Sequence, residues 1–296
     1  MSFSSQVKNE LIKNEYESRC CSKSLLYGMA LFSKSFSFRK ITFQSENENI
    51  TGLFRRLLKE LCNIEAKIDV SPSGKSFTVD LGKKESSKLM TFFGHSSSEK
   101  NLVVNFSNFS CENCSKAFIA GAFLSCGTVS SPEKDYHLEF NVSYLNLAKS
   151  FITLFNEFEL SPKLITRKGY HVVYFKDSEA IEDFLYIMGA VSSMFDMMNI
   201  KIVKEIRNSA NRKANCETAN IEKTVKASMP QIEAILKIKK EKGLDFLSKP
   251  LKEMAQARLD NPDLSLAELA ETFNPPLSKS GANHRLKRIE AIAKEL

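Results

Sequence analysis

The chain has 296 residues, 43% hydrophobic and 26% charged, a composition that excludes a disordered or fibrous protein and leaves room for two domains with separate cores. Lys and Arg outnumber Asp and Glu by 42 to 35; residues 201–296 hold 19 and 13 of these, an excess of +6, against +1 for residues 1–200. A basic C-terminal end is the electrostatic footprint of nucleic-acid binding, although a basic face is often merely solvated.

Residues 1–15 mix acidic and basic side chains without an apolar core, which fits neither a signal peptide nor a transit peptide. The most apolar stretch near the middle, residues 184–198, is interrupted by Asp196 and flanked by Glu182 and Asp183, short of a membrane span. Seven cysteines make an odd number without secretory context, so the expectation is free thiols in a cytoplasmic protein.

Along residues 1–200 the pattern repeats at an offset of about 93, with copies at about 20–95 and 113–190. Each copy opens with an apolar helical segment built around a glycine, Gly28 in one and Gly121 in the other. Strand character follows at residues 36–44 and 136–142, then helical spacing, marked by Leu53, Leu57, Leu58 and Leu61 in the first copy and by Leu145, Phe151, Leu154 and Phe155 in the second. A hairpin comes next, residues 66–70 and 77–81 around SPSG, or 163–166 and 170–175 around RKG. Helices at 85–93 and 178–188 close the copies. The order helix, strand, strand, helix, strand, strand, helix, read twice, predicts an α+β domain over residues 1–205 with two pseudo-symmetric antiparallel sheets. The two glycine helices can pack closely as a seam, or the glycines are incidental small residues.

Residues 206–220, rich in Asn and carrying Arg207, Arg212 and Lys213, read as a linker. Its basic residues follow a phosphate backbone, or its Asn and Ser residues cap a helix beginning near Ala219; the sequence leaves both open. A small all-α domain follows over 221–296, with helices marked by Ile232, Ile235, Leu236 and Ile238 and by Leu247, Leu251, Met254 and Ala255. Its last part, about 264–296, has the grammar of a helix-turn-helix. Ser265 and Glu268 form a capping box before the apolar face Leu266, Leu269, Ala270 and Phe273, and Asn274-Pro275-Pro276 stops that helix. Ser280 is positioned to cap a second helix with the stripe Ala282, Leu286, Ile289, Ala293 and Leu296. At 100° per residue His284, Lys287 and Arg288 point away from that stripe, and Asn283 and Arg285 flank it. With Ser278, Lys279 and Ser280 these are the candidate contacts to double-stranded DNA, set against a simple solvated helix face. The segment from Asn274 to Lys279 is longer than the tight turn of the simplest such motifs.

Cys111-Glu-Asn-Cys114 has zinc-ligand spacing, and Cys20-Cys21 precedes the first glycine helix in the equivalent place. Four thiols would converge if the two helices lay parallel. Adjacent cysteines are poor joint ligands, however, so small buried thiols without a metal are the expectation, and no cofactor is expected. His95, His137, His171 and His284 are scattered without a nucleophile at catalytic spacing, and no Gly-rich phosphate loop occurs.

The run IAGAFLSCG at 119–127 resembles the LAGLIDADG motif of homing endonucleases, with LYGMALFSK at 26–34 as a divergent counterpart. The whole chain resembles the WhiA family of sporulation and cell-division regulators, through GAFLSCGTV at 121–129, YHLE at 136–139, NRKANCETAN at 211–220 and SKSGANHRL at 278–286. That resemblance implies a degenerate LAGLIDADG domain followed by a helix-turn-helix, a transcription regulator of cell division, chromosome segregation and sporulation, nucleoid association, and RNA polymerase or a sigma factor as partner. The endonucleases hold their metal ions with an acid at the eighth motif position. Those positions here are Ser33 and Cys126, neither of which replaces a carboxylate toward magnesium, so no enzyme is expected unless Glu139 or Glu133 compensates. The competing readings are an active metal-dependent nuclease and a protein-interaction scaffold with secondary DNA binding.

Overall fold

The computed structural model describes residues 2–16 and 18–296, which divide into two compact units, Met1–Lys204 and Glu205–Leu296. In the first unit the expected order appears twice. Helix α1 (Phe3–Leu11) precedes both copies. Helix α2 (Arg19–Leu31), strands β1 (Ser35–Phe36) and β2 (Ile41–Ser45), α3 (Glu48–Cys62), β3 (Asp69–Val70), β4 (Phe77–Leu81) and α4 (Lys83–Phe92) make the first copy. Helix α5 (Glu112–Cys126), β5 (Gly127–Val129), β6 (Leu138–Val142), α6 (Leu145–Phe155), β7 (Lys163–Arg167), β8 (Tyr170–Phe175) and α7 (Ser178–Ile187) make the second. Each copy has one four-stranded antiparallel sheet, in the matching orders β1-β2-β4-β3 and β5-β6-β8-β7.

Period-two alternation sets which face of each sheet is buried. On β6, Leu138, Phe140 and Val142 enter the core while Glu139 and Asn141 take the other face, and Phe140 sits opposite Val173. On the first sheet Ile41 faces Leu81 and Phe43 faces Val79, all four buried. The core is rich in phenylalanine: Phe151 lies 4.6 Å from Phe32 and 4.7 Å from Phe155 between ring centroids, so rings from both copies share one cluster. Full burial of such a side chain is worth roughly 1.5–3 kcal/mol.

The seam between the copies is the pair α2 and α5. A Cβ added to Gly28 would lie 2.1 Å from the Phe118 carbonyl oxygen, and one on Gly121 would lie 2.2 Å from that of Leu25. Backbone therefore touches backbone, and the helices run parallel, because the Cys21 and Cys111 sulfurs at their N-terminal ends also meet, at 3.5 Å. The glycines are a requirement of the seam rather than incidental.

Three expectations are corrected in this unit. The strand expected at 36–44 is broken into β1 and β2 by a turn in which the Ser37 N–H donates to the Lys40 carbonyl at 3.2 Å. Strand β3 pairs only at Asp69 and Val70, where residues 66–70 were expected. On α6 the buried residue is Leu147, with Leu145 40% exposed, because Leu147, Phe151, Leu154 and Phe155 complete one helical stripe at i, i+4, i+7 and i+8.

Helix α8 (Val191–Glu241) runs through the residues expected to be a linker. Residues 206–220 are helical and exposed, so no helix begins near Ala219 and the Asn and Ser residues there are not caps. The segment contains neither Gly nor Pro, and Asn and Ser in a helix interior each cost only tenths of a kcal/mol relative to Ala. In the second unit Ile235 and Ile238 of α8 pack with α9 (Lys249–Asp260), α10 (Leu266–Glu271) and α11 (Lys279–Glu295) around one small core. No helix among the described residues is long and apolar enough to cross a membrane.

Candidate nucleic-acid interface

The three helices α9, α10 and α11 are fixed by local chemistry. At the start of α10 the Ser265 hydroxyl accepts from the Glu268 N–H at 3.3 Å and the Glu268 carboxylate accepts from the Ser265 N–H at 2.8 Å, the reciprocal box read from the sequence. Hydrogen bonds from the Ser265 backbone N–H and hydroxyl hold the Glu268 carboxyl below its usual range. The turn before it is braced by Arg258, buried to 1% exposure, whose guanidinium donates to the carbonyls of Asn261 at 3.2 Å and Leu264 at 2.7 Å. Burial pulls the Arg258 pKa down against the pull of Asp263. Nothing in helical periodicity distinguishes a structural arginine from an exposed one, so sequence reasoning misses it.

Helix α10 ends at Glu271 with Thr272 as its C-cap, ahead of the two prolines. The cap of α11 is Ser278 rather than Ser280. The Ser278 backbone is extended and its hydroxyl accepts from the Gly281 N–H at 3.0 Å, which leaves Ser280 inside the first turn, exposed. The stripe Ala282, Leu286, Ile289 and Ala293 is buried, and Leu296 is half-buried.

On the opposite face His284, Lys287 and Arg288 are exposed, with Asn283 and Arg285 half-buried on the flanks, as the helical wheel requires. Ser278 and Lys279 are exposed at the N-terminal end of the same helix. Arg285 is held: its guanidinium stands 6.0 Å from the centroid of Phe273, which follows α10. Eight of the candidate residues thus lie on, or cap, one helix. Arg207, Arg212 and Lys213 are exposed on α8.

The ends of the two motif helices have a different chemistry. Ser33 donates to the Ser35 carbonyl at 2.9 Å. Burial pushes the Cys126 thiol up to about 12, against the opposing influence of Lys8 and a hydrogen bond from the Asn141 backbone. The Glu139 carboxylate is engaged by His137 Nε2 at 2.9 Å, Asn141 Nδ2 at 3.4 Å and Arg167 at 3.7 Å. Burial would raise its pKa, but His137, Asn141 and Arg167 together hold it below the usual carboxylate range. Glu133 is a solvent-exposed side chain. Cys20, Cys21, Cys111 and Cys114 do converge. Cys21 and Cys114 are buried, Cys20 is half-buried and Cys111 exposed.

Comparison with known proteins places these features. Residues 115–207 match the WhiA LAGLIDADG-like domain, and residues 210–293 match the WhiA C-terminal HTH domain. The chain is 40% identical to a probable cell division protein WhiA of Clostridium tetani, over 100% of this chain and 98% of the relative. It is 39% identical to the corresponding protein of Thermoanaerobacter pseudethanolicus, again over 100% of this chain and 98% of the relative. Among solved structures, full-length DUF199/WhiA from Thermatoga maritima superposes with a TM-score of 0.62 at 26% identity, covering 100% of this chain and 99% of that one. The N-terminal LAGLIDADG domain of DUF199/WhiA shares the fold, with a TM-score of 0.50 at 21% identity over 64% of this chain and 92% of that one. With residues 115–207 and 210–293 matched and full-length relatives at this identity, the chain belongs to the WhiA family.

Proposed function

We propose that this chain is a sequence-specific DNA-binding transcription regulator in which α11 lies in the major groove and the duplicated domain performs no phosphodiester chemistry. The observation that carries this is the two-faced surface of α11: a buried apolar stripe opposite exposed His284, Lys287 and Arg288, with Asn283 and Arg285 on its flanks. Arg and Lys match guanine edges and phosphates, Asn matches adenine, and the basic balance of residues 201–296 supplies long-range attraction. The loss of acids at Ser33 and Cys126, with Glu139 already engaged, argues against a nuclease. The division of labour follows the two units, with Arg207, Arg212 and Lys213 as auxiliary phosphate contacts. Membership of the family supports cell division as the process. Chromosome segregation, sporulation where the organism sporulates, RNA polymerase or a sigma factor as partner, and a cytoplasmic, nucleoid-bound location complete the proposal.

The test is genome-wide mapping of bound sites for the wild type and a Lys287→Ala, Arg288→Ala double variant, followed by salt titration on a recovered site. Removing a side chain that reads a base should weaken binding by about 1–3 kcal/mol, and removing one that neutralises a phosphate should lower the salt slope by about 1. Unchanged occupancy with an unchanged slope would refute α11 as the reading helix. Cleavage of supercoiled DNA in magnesium or manganese that disappears in Glu139→Gln would refute the absence of nuclease chemistry.

A further inference from the structure

The seam helices bring more than glycines together. Cys20 and Cys21 are the second and third residues of α2 behind its N-cap Ser18; Cys111 is the N-cap of α5 and Cys114 its third residue. The offset of 93 maps Cys21 onto Cys114 and Ser18 onto Cys111, and the contacts among the cysteine sulfurs, with the close approach at Gly28 and Gly121, show the two N-termini side by side. Cys20 and Cys111 are the points at which the copies differ, and each adds a thiol to the symmetric pair.

The Cys111 sulfur is 3.6 Å from that of Cys20, 3.5 Å from that of Cys21 and 3.5 Å from that of Cys114, and all four sulfurs lie within 4.8 Å of one another. Four thiolates at about 2.3 Å from a zinc ion stand at the corners of a tetrahedron with edges of about 3.8 Å. The observed separations bracket that edge, and small side-chain torsions cover the difference. Adjacent cysteines ligate poorly when they diverge around a helix. Here the cage lies beyond the helix end, toward which every Cα–Cβ bond tilts, so Cys20 and Cys21 reach the same point.

We propose that Cys20, Cys21, Cys111 and Cys114 form a structural tetrathiolate site for a single zinc ion, which clamps the N-terminal ends of the two seam helices. The donor set is all sulfur, which selects zinc over magnesium or calcium. Four protein ligands close the coordination sphere, so the site is structural rather than catalytic. The sulfurs are too close together to leave room for the inorganic sulfide of an iron–sulfur cluster. A disulfide would join Cys111 to only one of its three neighbours and would leave the other two thiols without a role. On binding, four S–H protons pass to solvent and four Zn–S bonds form, with no change of oxidation state. The resulting negative charge faces the positive ends of two helices, and the Ser110 N–H already donates to the Cys114 sulfur at 3.4 Å. Exposed Cys111 provides the entry path.

The experiment uses the full-length chain, stripped of metal and refilled under reductant with zinc or, in parallel, with cobalt. The expected result is one zinc per chain by elemental mass spectrometry. In parallel, the cobalt form should show the intense visible bands and sulfur-to-cobalt charge transfer of tetrahedral thiolate coordination. Zinc retention should be lost in Cys111→Ser and in Cys114→Ser and kept in Cys216→Ser, a change at an exposed cysteine on α8. A wild type that takes up no zinc under reductant would overturn the proposal, as would full retention in both serine variants at the cluster. Should those variants fail to fold, the wild-type cobalt spectrum decides alone: bands with oxygen or nitrogen character, or no bands, overturn it.

Discussion

Replacing Gly28 with Ala adds one methyl group at the closest approach between the two copies. The new Cβ would stand 2.1 Å from the Phe118 carbonyl oxygen, 2.8 Å from the Ala122 nitrogen and 3.1 Å from the Phe118 carbonyl carbon, all backbone atoms that no rotamer change can move. Restoring ordinary contact requires the helices to part by about an ångström, which loosens the apolar packing along α2 and α5. Overpacking of this kind costs about 1–3 kcal/mol, occasionally more, and a rigid backbone obstacle belongs at the upper end; Ala in place of a helical Gly returns about 1 kcal/mol. A net loss of about 2–3 kcal/mol should lower the melting temperature of the unit by roughly 4–12 °C. Gly52→Ala on α3 is the matched control, since a Cβ there meets nothing within 4 Å and should stabilise by up to about 1 kcal/mol. The assay is thermal unfolding of the full chain followed by circular dichroism, with urea midpoints as a second measure. If Gly28→Ala and Gly52→Ala shift the transition in the same direction and by similar amounts, the close seam is wrong.

Two further perturbations probe other parts of the molecule. Arg258→Met removes both donors to the Asn261 and Leu264 carbonyls while filling much of the same volume, and after the relief of guanidinium desolvation a loss of about 2 kcal/mol is expected. A urea midpoint for the helical unit that does not move would show that burial of the guanidinium cancels its hydrogen bonds. Glu139 has a folded-state pKa below its unfolded value, so its contribution is complete above about pH 4.3 and is lost as acid titrates through the folded value. Glu139→Gln should therefore be less stable than the wild type by on the order of 1 kcal/mol at pH 7, with the gap narrowing as the pH falls below about 4.3. An unfolding comparison in which the gap stays constant over that range would refute the carboxylate's role in its His137 and Arg167 contacts.

Most of the first unit was legible because its buried faces are periodic and occur twice. A second copy at a fixed offset confirms what one short strand leaves ambiguous, and the same offset points to the thiols before the helices are placed. The capping box at Ser265 was legible because both halves of it lie within four residues. What escaped depends on contacts distant in sequence. Helix α1 is held by Glu10, whose carboxylate accepts from the Ser192 and Ser193 N–H groups at 2.7 and 2.9 Å and so caps the start of α8 from almost the full length of the unit away. Arg258 reads as one more surface charge until the carbonyls it serves are seen. The Asn-rich segment 206–220 resembles a linker when composition is weighed above the absence of any Gly or Pro to interrupt the helix.

A pair of parallel helices related by an internal duplication has a property that neither copy has alone: side chains at matching positions are carried to the same end of the seam. At the C-terminal end the matched positions are Ser33 and Cys126, which provide no carboxylate for a divalent ion. At the N-terminal end they include Cys21 and Cys114, where sulfur can hold a soft ion without water or substrate in the coordination sphere. A metal at that end can stiffen the pair but cannot activate a nucleophile, since no ligand position is open. Under the function proposed above, the glycine seam serves as a support and recognition is assigned to α11, whose outward face carries the cationic and amide groups suited to DNA. Stability of the seam and affinity for DNA should therefore separate by mutation, with Gly28→Ala moving the first and Lys287→Ala, Arg288→Ala moving the second.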